Sequence, residues 1–91
     1  MHIISPDPNT VFQISPRLPL DSQQIPLRVA AAGPLSALTF SLDGQPLPTV
    51  TSDPFELWWV LAPGAHTLQA EAVFATGERA VSEVTEFSVL P

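Results

Sequence analysis

The chain has 91 residues with no cysteine and no lysine, and its three arginines stand against nine acids for a net charge of −6. That composition excludes a disulfide framework and a thiolate metal site while leaving the redox compartment open. It also makes nucleic acid and anionic membrane surfaces poor partners, because phosphate binding needs clustered Lys and Arg.

With 45% hydrophobic residues, 1–91 reads as a single small domain whose core rests on apolar burial alone. No stretch approaches the roughly 20 apolar residues of a membrane helix, so no direct membrane insertion is expected. The segment Met1 to Pro6 lacks the basic and apolar regions of a signal peptide. The chain enters an apolar run almost at once, as a domain cut from a longer protein would.

Ile3 and Ile4 open a short strand that stops at Ser5-Pro6-Asp7-Pro8-Asn9, and Thr10 to Ile14 resumes it. Residues 15 to 23, with Pro16, Pro19, Asp21 and Ser22, form a loop. The next strand covers Gln24 to Ala31, with Ile25, Leu27, Val29 and Ala31 on one face and Gln24 and Arg28 on the other. Pro26 cannot donate to a ladder, so this strand is expected at a sheet edge or a bulge.

Ser36 to Leu42 alternates, with Leu38, Phe40 and Leu42 on one side and Thr39 and Ser41 on the other. Asp43-Gly44 after it is the strongest short hairpin signal, since both turn residues must take positive φ. The partner strand, Gln45 to Pro48, is short and rich in proline.

Phe55 to His66 carries both tryptophans and ends in a Pro-Gly turn. Its aromatic and branched residues fit a half-covered pleated surface. If Glu56 faces water, Phe55, Leu57, Trp59 and Leu61 turn inward and Trp58 and Val60 lie outside; a one-residue bulge would reverse this.

After Pro63-Gly64, His66, Leu68, Ala70, Ala72 and Phe74 share one face. Thr76-Gly77-Glu78 closes a last hairpin, and a final strand runs from about Ala80 to Leu90 with Thr85, Phe87 and Val89 inward. About seven short strands, with turns roughly every 8 to 12 residues, predict an all-β fold, an immunoglobulin-like antiparallel β-sandwich. An open barrel is the alternative.

Chemistry is scarce. A serine nucleophile of the Ser-x-x-Lys kind has no lysine to work with. A Ser-His-Asp triad would have to use His2, at a terminus expected to fray, or His66, on a face expected to be buried. The plain role for His66 is a nitrogen bonded to a turn carbonyl.

Two histidines without cysteine do not make a zinc site. Asp7, Asp21, Asp43 and Asp53 lie singly in loops and lack the Asp-x-Asp spacing calcium needs, and Asp43 is accounted for by its turn. No cofactor is expected. Trp58, with Val60 beside it, has the one functional case: an exposed ring that stacks on a sugar or a neighbouring domain. Its alternative role is as core under the proline-rich loops.

Several elements in this order resemble a known family. They are Ile4-Ser5-Pro6, Gln24-Ile25-Pro26-Leu27, Leu42-Asp43-Gly44, Trp58-Trp59, Pro63-Gly64-Ala65-His66-Thr67-Leu68 and Gly77. Together, from about Ile3 to Val89, they are similar to the small domain at the C-terminus of bifunctional penicillin-binding proteins of the 1C type. The chain departs from that pattern at the last hairpin, where Phe74-Ala75-Thr76-Gly77 lacks the family's usual Asp and the strands run slightly longer.

The resemblance implies an extracytoplasmic (periplasmic or cell-surface) accessory domain, part of a membrane-anchored peptidoglycan synthase. It carries none of that synthase's glycosyltransferase or transpeptidase residues. The partner it implies is the upstream transpeptidase domain or another cell-wall protein. Peptidoglycan glycan, stacked on Trp58, is the rival ligand.

Overall fold

In the computed structural model, which describes residues 1–91, the alternating runs become nine strands: β1 (His2–Ser5), β2 (Val11–Gln13), β3 (Gln24–Ala30), β4 (Leu35–Leu42), β5 (Gln45–Pro46), β6 (Glu56–Val60), β7 (Gly64–Phe74), β8 (Arg79–Val81) and β9 (Thr85–Leu90). The only helical element is a 3₁₀ turn, Leu20–Ser22, inside the 15–23 loop. The strands form two sheets. One has the order β1-β3-β6; the other has the order β2-β9-β7-β4-β5, with β8 paired to β7.

The two sheets face each other as a sandwich, and the alternation decides what lies between them. Ile25 and Leu27 of β3 and Leu61, just past β6, meet Leu38 and Phe40 of β4. Leu68, Ala70 and Ala72 of β7 and Phe87 and Val89 of β9 complete the buried set. Trp59 and Leu57 pack against it from the β6 side. The inward faces predicted for β3, β4, β6, β7 and β9 are the observed ones, except that Ala31 falls past the end of β3 and is exposed and that Phe74, at the end of β7, is half-buried outside the core.

Asp43-Gly44 forms the expected two-residue turn, at φ 52° and 82°, with Leu42 opposite Gln45. Positive φ at both positions matches the right-handed twist of the flanking strands.

Four expectations are corrected. First, β2 does not resume β1. The Pro6-Asp7-Pro8-Asn9 turn carries the chain to the other sheet, where β2 runs parallel to β9, Val11 beside Ser88 and Gln13 beside Leu90. The sandwich is therefore not wholly antiparallel. The crossing is held where the Asn9 amide donates to the Glu86 carbonyl (2.7 Å) and the Ser88 amide to the Thr10 carbonyl (3.0 Å).

Second, of the edge or bulge expected at Pro26 the edge is excluded, because β3 is the central strand of its sheet, and the irregularity lies in its neighbour β1. Pro26 is tolerated because β1 shifts register between Ile3 and Ser5, and the Ser5 hydroxyl donates to the Pro26 carbonyl at 2.7 Å. The hydroxyl satisfies the Pro26 carbonyl where the shifted ladder does not, and the N–H that proline lacks has no substitute. Third, His2 is paired, opposite Ala30, rather than frayed.

Fourth, the last strand is two strands. β8 pairs with β7 at Glu71 to Val73 and β9 pairs with it at Gly64 to Leu68. Ser82 fills the gap between them. Its amide donates to the Ala70 carbonyl (2.8 Å), and its buried hydroxyl accepts from the Ala70 amide (2.8 Å) while donating to the Glu83 carbonyl (2.9 Å). Ser82→Ala leaves the Ala70 amide buried without an acceptor, so it is expected to destabilise the chain by about 1–3 kcal/mol. Urea titration of the variant checks this, and a cost near zero would mean that water reaches that amide.

Candidate functional site

Two places carry the residues singled out from the sequence. The first is the outer face of the three-stranded sheet. Glu56 and Arg28 are opposite one another there and ion-paired, Nε to Oε2 at 2.6 Å. With that pair fixed, alternation puts Trp58 and Val60 on the same outer face, 52% and 38% exposed. Pro26 lies opposite Trp58 and Gln24 opposite Val60, and Ile4 of β1 is exposed as well. Trp59, one residue on, turns inward and meets the His66 and Phe87 rings edge-on, at 5.1 and 5.6 Å. One tryptophan thus anchors β6 to the core and the other faces solvent.

The second place joins two turns that are distant in sequence. The Asp43 carboxylate reaches across to the start of β7. Its Oδ2 lies 2.7 Å from His66 Nδ1, and its Oδ1 accepts from the Thr67 amide at 2.8 Å. The Asp43 amide in turn donates to the Thr67 carbonyl at 2.8 Å.

On the other side of the ring, His66 Nε2 donates to the Ala62 carbonyl at 2.7 Å. That is the turn-carbonyl bond expected of His66; its Asp43 partner was not foreseen. Asp43 therefore does more than make its own turn. No local signal links residues 23 apart, although Leu42-Asp43-Gly44 and Pro63-Gly64-Ala65-His66 are both among the elements that carry the resemblance.

This geometry sets the charges. Burial alone would pull the His66 pKa down; the bonds to Asp43 and to the Ala62 carbonyl, with the charge of Asp43, outweigh it and raise the pKa above the ordinary 6.5. Both ring nitrogens face acceptors, which favours the doubly protonated ring. The His66 ring and the Thr67 amide both donate to the Asp43 carboxylate and hold its pKa below the ordinary 3.8.

A ring engaged at both nitrogens has no lone pair with which to take a proton from a serine. The arrangement is a clamp between two turns. Nowhere do three His, Asp or Glu side chains come together as a metal site would require.

A shallow hollow of about 300 Å³ is lined by Asn9, Ala65, His66, Thr67, Glu86, Phe87 and Ser88. It holds one carboxylate and no lysine or arginine, and the His66 ring is already bonded at both nitrogens, so no free cationic donor faces a phosphate or carboxylate ligand. No helix is long and apolar enough to cross a membrane.

The fold has a solved counterpart. The fibronectin(III)-like modules of Clostridium thermocellum CbhA superpose with a TM-score of 0.73 at 26% identity, over 98% of this chain and 93% of theirs. No curated protein matches the sequence. The model of the penicillin-binding protein C-terminus family matches residues 1–81, from β1 through β8. This sandwich of two sheets, with its paired turns and its outward tryptophan, belongs to the penicillin-binding protein C-terminus family.

Proposed function

We propose that the chain is a non-catalytic accessory module of a peptidoglycan-synthesising penicillin-binding protein. It works outside the cytoplasm by docking against protein, either the upstream transpeptidase domain or another cell-wall protein. One observation carries this: Trp58, half exposed, stands with Val60, Pro26 and Ile4 on one outer sheet face. A rigid aromatic with apolar neighbours is what the centre of a protein interface uses, because much area is buried for little lost side-chain freedom. The bonding of His66 at both nitrogens supports the non-catalytic part.

The test uses the full-length parent protein with a photo-reactive side chain at Gln24, which shares the face with Trp58. Cross-linking to protein is expected, and Trp58→Ala should cut its yield about fivefold or more. The same change should leave the chain's stability within about 0.5–1 kcal/mol, because an exposed side chain contributes little to the core. Absence of any protein cross-link at this face would remove the docking reading.

Titration with soluble glycan fragments, followed by tryptophan fluorescence, examines the rival. A response that vanishes in Trp58→Ala would move the assignment to a carbohydrate-binding module. His66→Gln is expected to leave the parent's synthetic activity unchanged, and a loss of turnover at intact fold would contradict the non-catalytic role.

A further inference from the structure

β6 ends the three-stranded sheet, so one side of its backbone has no neighbour, and the register shows which groups lie there. The Leu61 amide donates to the Gln23 carbonyl at 3.0 Å. Trp59–Ile25 and Leu57–Leu27 continue at the same register, so these are the hydrogen-bonded pairs of the ladder. Val60–Gln24 and Trp58–Pro26 alternate with them and make no ladder bond; Pro26, with no N–H, fits only that role. The N–H and C=O groups of Trp58 and Val60 therefore point away from β3, to the open side.

The remaining edges are blunted. β1 changes register between Ile3 and Ser5 and runs into Pro6, β5 is two residues long and includes Pro46, and β2 and β8 have three residues each. β6 has five residues in unbroken register with β3, with no proline, lysine or bulge. Sheets that must not pair further carry such guards on an exposed edge.

Charge states the chemistry of what fits. Exposed Asp53 lies before β6, and exposed Asp21 sits in the Leu20–Ser22 turn beside it. Arg28 is bonded to Glu56, so no free cation of this sheet stands on that edge. A second copy would bring another net charge of −6 to the contact.

We infer that an extended, lysine- or arginine-bearing segment of a partner protein adds to the free edge of β6 as a fourth strand. It pairs with the backbone of Trp58 and Val60 and sets an apolar side chain beside the Trp58 ring. This rests on the docking role proposed above and specifies its manner.

The test uses the 91-residue chain and three synthetic peptides: one alternating Val and Thr with Lys, one with Glu in place of Lys, and one with the Lys sequence N-methylated along the edge that would pair. The Lys peptide is expected to bind and to slow amide exchange at Trp58 and Val60 about tenfold or more. The Glu and N-methylated peptides should bind at least about tenfold more weakly. Val60→Pro removes an N–H that faces the open edge and makes no bond to β3, so it should abolish binding in a chain that still melts cooperatively.

Equal binding of the N-methylated peptide, or retained binding in Val60→Pro, overturns strand addition. Equal binding of the Glu peptide overturns the charge assignment. Failure of the Lys peptide at millimolar concentration also overturns the proposal, as does a concentration-dependent dimer that protects the same two amides. In each of these cases the Gln24 cross-link still reports separately on whether protein docks at this face.

Discussion

Phe87→Ala is expected to cost about 3–5 kcal/mol, the range for truncating a buried aromatic where the surroundings cannot close the gap. The ring is 2% exposed and touches both layers of the sandwich. Trp59 meets it edge-on at 5.6 Å from the three-stranded sheet, Phe12 meets it edge-on at 6.0 Å from β2, and His66 lies tilted beside it at 5.4 Å.

A domain of this size holds about 5–15 kcal/mol in all, so this one side chain carries a large share. The melting temperature should fall by about 12 °C or more. Thermal unfolding followed by circular dichroism measures it. A drop of only a few degrees would mean that the rings do not join the sheets. Because Trp59 holds β6 on Phe87, the same variant should also weaken docking through the Trp58 face. That loss follows from misplacement of β6, and cooling should restore it.

The Asp43–His66 clamp should make stability depend on pH in a definite direction. His66 has a pKa raised above 6.5 in the fold, so its contribution is complete below 6.5 and is lost as pH rises through the folded value. Asp43 has a pKa lowered below 3.8, so its contribution is complete above 3.8 and is lost as pH falls through the folded value. Both are present between those limits.

The melting temperature should therefore be highest in mildly acidic solution and decline towards alkaline pH. His66→Gln keeps a planar polar side chain but cannot be charged, and the alkaline decline should vanish in it. A decline that persists unchanged in His66→Gln would assign it to another group. His66→Ala should cost more, about 2–3 kcal/mol, because it opens a cavity and removes the donors to both Asp43 and the Ala62 carbonyl.

Much of this protein is legible in its residues because the deciding interactions are local. Leu38-Thr39-Phe40-Ser41-Leu42 can bury one side only as a strand, and Asp43-Gly44 reverses the chain whatever the rest of the fold does. Glu56 sets the face of Trp58 two residues on by alternation alone, but that Glu56 itself faces out is fixed by its pairing with Arg28 across the sheet. The elements quoted for the family lie on strands and turns of this kind, and the match of the family's model to residues 1–81 shows the membership.

The misplaced elements are those decided by a partner far along the chain. Pro26 removes one ladder donor, but that its carbonyl is met by the Ser5 hydroxyl depends on β1 shifting register at Ser5. Thr10 to Ile14 has the pattern of a strand, yet its sheet is decided by whether β9 or β3 has the open edge beside it. Ala80 to Leu90 reads as one strand, yet it breaks at Ser82.

The sequence by itself determined an all-β chain, most of its inward faces and its Asp43-Gly44 turn, because period two and positive φ are properties of neighbouring residues, whereas it leaves open which tryptophan faces out. Only the tertiary structure decided that Asp43 and His66 meet, that β3 is central and that β6 keeps a free edge. Those outcomes depend on how two sheets close over one core, and that closure pairs residues which nothing along the chain connects.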